Sequence, residues 1–163
     1  MPPRGSRPGK RRGGPWYGEF RERMIFERGA RTAFPSMKTN DGRGGGYTVS
    51  AFVGVPGYED RRIQIVFGRE HLQTPRVFAN GPSESTHRYS DGSLCMWYPP
   101  DPEDQRWVRN DGLLELIGHT IRHLFCEAWW RETGHWLGPE APHGLLAPKP
   151  AHARDERDDR DDE

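Results

Sequence analysis

Thr86-His87-Arg88-Tyr89-Ser90-Asp91-Gly92-Ser93-Leu94-Cys95-Met96-Trp97-Tyr98 is the stretch on which the reading of this chain turns. It holds one of only two cysteines, Cys95, and His87 lies eight positions upstream. Ser90-Asp91-Gly92-Ser93 is turn chemistry: an Asp side chain bonds its own backbone, and Gly accepts positive φ. Leu94, Met96 and Trp97 make an apolar bed around the sulfur. A thiol presented just after a tight turn, with an imidazole able to fold back towards it, is one recipe for an accessible nucleophile. The plainer alternative is a buried strand cysteine, because free Cys is among the most buried residue types.

Downstream, Pro99, Pro100 and Pro102 rule out regular structure and predict a loop that carries Asp101, Glu103 and Asp104. Asp111 is placed to cap a helix. From 112 to about 132 the spacing is helical, with Leu113, Leu116, Ile117, Ile121, Leu124, Phe125 and Ala128 as the buried stripe. Thr133-Gly134 stops it. Residues 135–143 form an irregular aromatic segment. Upstream, residues 76–79 predict a short strand. Residues 61–67 predict another, with Ile63, Ile65 and Phe67 on one face, and residues 47–55 a third. Pro56-Gly57 turns between the last two. Residues 39–46, rich in Gly, read as a flexible connection. Pro15 opens a first helix that ends near Gly29, with Trp16, Phe20 and Met24 at helical spacing. Helix, antiparallel meander, thiol-bearing turn and long helix together predict the α+β class.

A chain of 163 residues fits one domain. Its hydrophobic content is only 33%, but the deficit sits at the ends. Residues 1–15 and 147–163 predict disordered tails, the first basic and the second an Arg/Asp/Glu run. Residues 16–146 hold all six Trp and all seven Phe, enough for one core. Net charge is zero, split between the two tails. No apolar run follows the basic head and no stretch approaches a membrane span, so neither secretion nor a membrane is expected. Two cysteines without a framework fit a reducing cytoplasm. The core holds no nucleic-acid motif and the tail is acidic, so nucleic acid is not an expected partner.

This order and these residues resemble the ubiquitin-conjugating enzyme family. Its members share a first helix, a four-stranded meander, a Tyr-Pro-x-x-Pro-Pro segment, His-Pro-Asn, a short turn, Gly-x-Ile-Cys, and later a Trp before a helix. Leu72-Gln73-Thr74-Pro75-Arg76-Val77 sits where the proline segment would be, His87-Arg88-Tyr89 where His-Pro-Asn would be, and Gly92-Ser93-Leu94-Cys95 where Gly-x-Ile-Cys would be. Trp107 then precedes the long helix. The match spans roughly residues 16–132. His-x-Tyr-x-Asp-Gly-Ser-Leu-Cys, the aromatics after it and the closing Trp-Leu-Gly-Pro-Glu-Ala-Pro-His further resemble the divergent bacterial branch of type II CBASS antiphage systems. That resemblance implies a cysteine enzyme joining the C-terminus of a cyclic-nucleotide synthase (a nucleotidyltransferase), or a ubiquitin-like protein, to another molecule. The chain has no adenylating motif, so activation would fall to a separate activating enzyme; no cofactor is expected.

On this reading Cys95 carries a thioester. His87 either tunes it or orients the loop through backbone bonds, the second being the family's usage. Tyr89 replaces the family asparagine and would donate to the developing oxyanion. Asp101, or Glu103 or Asp104, would position or deprotonate the incoming nucleophile. Three other readings remain open. His119, His123 and Cys126 share one helical face and could take zinc, with His135 or His143 as a fourth ligand. The domain could be a non-catalytic binding module of the same fold. Cys95 could pair with His119, His135 or His143 as a protease-type dyad.

Overall fold

A computed structural model describes residues 14–41 and 46–138. The basic head up to residue 13, the acidic tail and the end of the expected 16–146 domain lie outside the described residues.

The sheet has four antiparallel strands in chain order: β1 (Lys38–Asp41), β2 (Tyr47–Val53), β3 (Arg61–Phe67) and β4 (Arg76–Ala79). Alternation builds its buried face. Tyr47, Val49, Ala51 and Val53 of β2 lie opposite Phe67, Ile65, Ile63 and Arg61 of β3, and all eight are buried. Cross-strand pairs of this kind fix the register, since a slip of one residue would turn the set to solvent. β1 corrects the expectation of a flexible connection. Lys38 to Asp41 pair with Ser50 to Tyr47 through backbone alone, as an edge strand whose side chains stay largely in water. Without a buried face it carries no alternation to read. Residues 42–45 of that stretch are not among the described residues.

The single N-terminal helix is also corrected. The chain makes a 3-10 turn at Trp16–Gly18, then α1 (Phe20–Phe26), then the short α2 (Ala30–Ala33). Gly29 separates the two helices with φ of 75°, a left-handed conformation that glycine adopts without strain. Because the helix starts at Phe20, the 16/20/24 spacing joins residues of different elements. Trp16 is buried, whereas Phe20 is 70% exposed and Met24 44% exposed. The inward residues are Phe26, Glu27 and Ala30.

The long helix α3 (Gly112–Thr133) forms where expected, and Gly134 ends it in the left-handed conformation. Asp111 does not cap it through its side chain. Its carboxylate reaches back to accept the Val108 N–H at 2.8 Å. α3 lays Leu113, Leu116, Ile117 and Leu124 into the core with the sheet. At one end of that core Trp16, Phe26, Tyr47, Phe67 and Trp107 pack mostly edge-to-face, the arrangement ring quadrupoles favour. Both indoles are satisfied: Trp16 donates to the Leu72 carbonyl and Trp107 to that of Gly112. Among the described residues no helix is long and apolar enough to cross a membrane.

Candidate active site

Beyond β4 the chain folds back as a small hairpin, residues 87–95. Tyr89 N–H donates to the Ser93 carbonyl and Gly92 N–H to the Tyr89 carbonyl, each at 2.9 Å. Arg88 and Leu94 pair across it as an antiparallel bridge. Asp91 locks the turn by accepting from the Ser93 hydroxyl at 2.6 Å and the Ser93 N–H at 2.9 Å, and these bonds hold its carboxyl below the usual range. The backbone at the sulfur is fixed from two sides. Leu94 N–H donates to Val77 in β4 at 2.8 Å, and Cys95 N–H donates to the His87 carbonyl at 2.9 Å.

Cys95 is a free, half-buried thiol rather than a sealed core residue. Tyr89 stands beside it. Burial, and then the neighbouring Cys95 thiol, push the Tyr89 hydroxyl up to about 12. The Arg76 guanidinium lies over the Tyr89 ring, 4.9 Å from its centre, with Nε 3.8 Å from Asp91. A groove of about 300 Å³ opens beside the hairpin, with Leu94, Met96 and Trp97, the neighbours of Cys95, in its lining alongside Pro75, Arg76 and Tyr89.

His87 is buried, and its ring packs 3.9 Å from that of Trp136. The hydrogen bond from the Cys95 N–H goes to its main-chain carbonyl and not to the imidazole. Asp101 sits half-buried in the loop after the aromatics. Its N–H donates to the Tyr98 carbonyl, and its carbonyl accepts from Arg106 Nε at 2.9 Å. Glu103 and Asp104 are exposed. The helical metal triplet separates. His119 faces Glu115 and Trp97, His123 faces Glu127, and Cys126 donates to the Leu137 carbonyl, its thiol pushed up by burial. Among the described residues no three His, Cys, Asp or Glu side chains are grouped to hold a metal. His135 is exposed past the end of α3 and engages Thr133; His143 lies outside the described residues.

Sequence reasoning missed the polar cluster behind the hairpin. Glu127 of α3 is fully buried and accepts a two-pronged bond from Arg88, Nε at 2.8 Å and Nη2 at 2.7 Å. His123 Nε2 stands 3.5 Å from the same carboxylate and Arg131 Nη1 3.7 Å. Burial alone would push the Glu127 carboxyl up. The two-pronged bond and the charge of Arg88, with His123 close by, outweigh it and hold the group at about 2. One signal for this was available: Glu127 falls between Leu124 and Ala128, inside the apolar stripe, where a lone carboxylate needs a cation.

Short N-terminal helices, a four-stranded meander, a hairpin presenting a half-buried cysteine and a long C-terminal helix define an α+β domain of the E2 type. The family model described as Type II CBASS E2 protein matches residues 31–144, most of the chain, and the chain belongs to that family. Membership implies an E2-like role in the CBASS antiphage defence of bacteria, as the sequence resemblance led one to expect. No curated protein and no solved structure matches the chain.

Proposed function

We propose that the protein is an acyl carrier of the ubiquitin-conjugating type, with Cys95 as the nucleophile. The Cys95 thiolate attacks the activated carbonyl carbon at the C-terminus of a protein. A carbon–sulfur bond forms, and the activating group departs with the electron pair of its own bond. An uncharged amine then attacks the thioester carbonyl. The carbon–nitrogen bond forms, sulfur leaves as thiolate, and the amine proton passes to Asp101 or to water. Tyr89 donates to sulfur in the resting site and to the oxyanion once the thioester stands there. His87 holds the hairpin in place. The carried chain is the cyclic-nucleotide synthase of the same defence system, or a ubiquitin-like protein. A separate activating enzyme supplies the acyl adenylate or thioester that precedes Cys95, and the reaction takes place in the cytoplasm.

The observation that carries this reading is the half-buried Cys95, its N–H fixed on the His87 carbonyl, in a hairpin whose Tyr89 and Leu94 line an open groove. Family membership supports it. In a reaction with the synthase and the activating chain, the wild type should form an adduct that a thiol reductant releases. Cys95→Ser should trap a reductant-resistant oxyester, and Cys95→Ala should give neither adduct nor conjugate. Conjugation that survives Cys95→Ala would sink the proposal and leave a non-catalytic module of the same fold.

A further inference from the structure

The hairpin is gripped from one side of α3 by more than apolar contact. Arg88, next to the His87 carbonyl that holds Cys95, sends its fork into Glu127, and its Nη2 also reaches the Pro82 carbonyl at 3.3 Å. One turn on, Arg131 donates to the Glu84 carbonyl at 3.0 Å and lies 3.7 Å from Glu127. One turn back, His123 faces the same carboxylate. A single buried oxygen pair therefore collects ties from the hairpin and from its own helix, and the two arginines extend them to the approach loop. Trp136 closes the cluster, its ring 3.9 Å from His87 and 5.3 Å from His123.

Stability alone does not require such an arrangement. A buried ion pair costs desolvation, and well-packed apolar residues in its place are often as stable or more so. What an apolar pair lacks is direction. Two parallel N–H···O bonds fix both the distance and the plane of the arginine. Arg88 is bridged to Leu94, and Leu94 precedes the nucleophile. The orientation of the Arg88 side chain is thereby passed to the sulfur through one ladder step.

We propose that Glu127 is a positioning residue for Cys95: through Arg88 it clamps the hairpin to α3 and sets where the sulfur stands against Tyr89. The transfer consequence rests on Cys95 being the acyl carrier; the geometric one does not. The test uses the full chain and two variants, Glu127→Gln and the double Arg88→Met/Glu127→Met. Three quantities are followed: thermal stability, the rate of Cys95 alkylation by iodoacetamide located by peptide mass spectrometry, and kcat and KM for transfer to an amine. The methionine pair should keep the melting temperature close to wild type. Both variants should nevertheless alkylate Cys95 at an altered rate and transfer roughly 10- to 100-fold more slowly in kcat, with KM for the amine little changed, because a displacement on the scale of an ångström at a reacting atom has that effect. A purely structural pair would make stability and rate move together. A stable methionine pair with wild-type alkylation and wild-type kcat overturns the proposal, and it decides the matter even if Glu127→Gln fails to fold. If wild type makes no thioester at all, the acyl-carrier reading fails separately, and alkylation alone still tests the clamp.

Discussion

Two glutamates are buried to the same degree at opposite ends of this domain, and they do different things. Glu27, just past the end of α1, accepts from the Tyr47 hydroxyl of β2 and from Arg31 one turn later. Its partners are a neutral phenol and an arginine whose side chain is half exposed. Glu127, inside α3, meets Arg88, whose side chain is only 7% exposed, with His123 and Arg131 in support. The first carboxylate ties a helix to the sheet. The second ties the hairpin that presents Cys95. Equal burial therefore says little about role; the partner's charge and the element it sits on say more.

The contrast is broken most forcefully by removing Arg88. Arg88→Ala strands a fully buried carboxylate with only the two longer contacts, and a loss of roughly 3–5 kcal/mol in urea unfolding at neutral pH is expected. A loss below about 1 kcal/mol would mean that water reaches Glu127 and that the two ends are not distinct.

Acid separates them next. Glu127 is held at about 2, below its ordinary value. A depressed carboxyl contributes stability that is complete above its unfolded pKa and disappears as pH falls through the folded one. Stability should therefore decline between about pH 4.5 and 2, by of order 3 kcal/mol from this group. Denaturant titrations across that window check it. The Arg88→Met/Glu127→Met protein should lack this part of the slope. An unchanged slope would place the acid-sensitive group elsewhere.

The sequence disclosed these ends unequally. β2, β3 and α3 were legible because burial on one face forces a period of two or of 3.6, and Ile63, Ile65 and Phe67 or Leu113, Leu116 and Ile117 show it directly. The thiol hairpin was legible through Asp91 and Gly92, since a tight turn admits few residues. β1 was not, because an edge strand of Lys38, Thr39, Asn40 and Asp41 is defined by backbone pairing that no side chain announces. α1 misled for the opposite reason: Phe20, Met24 and Ile25 are apolar and periodic yet face water. The Arg88–Glu127 bond spans 39 positions, and no local pattern encodes a partner at that distance. A buried carboxylate in a helix stripe tells the reader to seek a cation but not which one.

The smallest effect sharpens the comparison from the other end. In Tyr47→Phe the ring still fills its place among Trp16, Tyr17 and Phe67, so packing is kept. Only the hydroxyl goes, leaving one Glu27 oxygen buried without its donor, while Arg31 continues to engage the other. An unsatisfied buried acceptor of this kind costs about 2 kcal/mol. The carboxylate is spared the larger penalty because its cation remains, and that cation reaches solvent. The Tyr47 hydroxyl donates to Glu27 and its ring packs on Trp16, Tyr17, Phe26 and Phe67, so Cys95 alkylation should proceed at the wild-type rate while the unfolding midpoint falls. Slowed alkylation in Tyr47→Phe would show that loosening any buried carboxylate disturbs the sulfur. The special standing of Glu127 would then be lost, because the hairpin would be reading the rigidity of the whole core rather than the direction of one arginine.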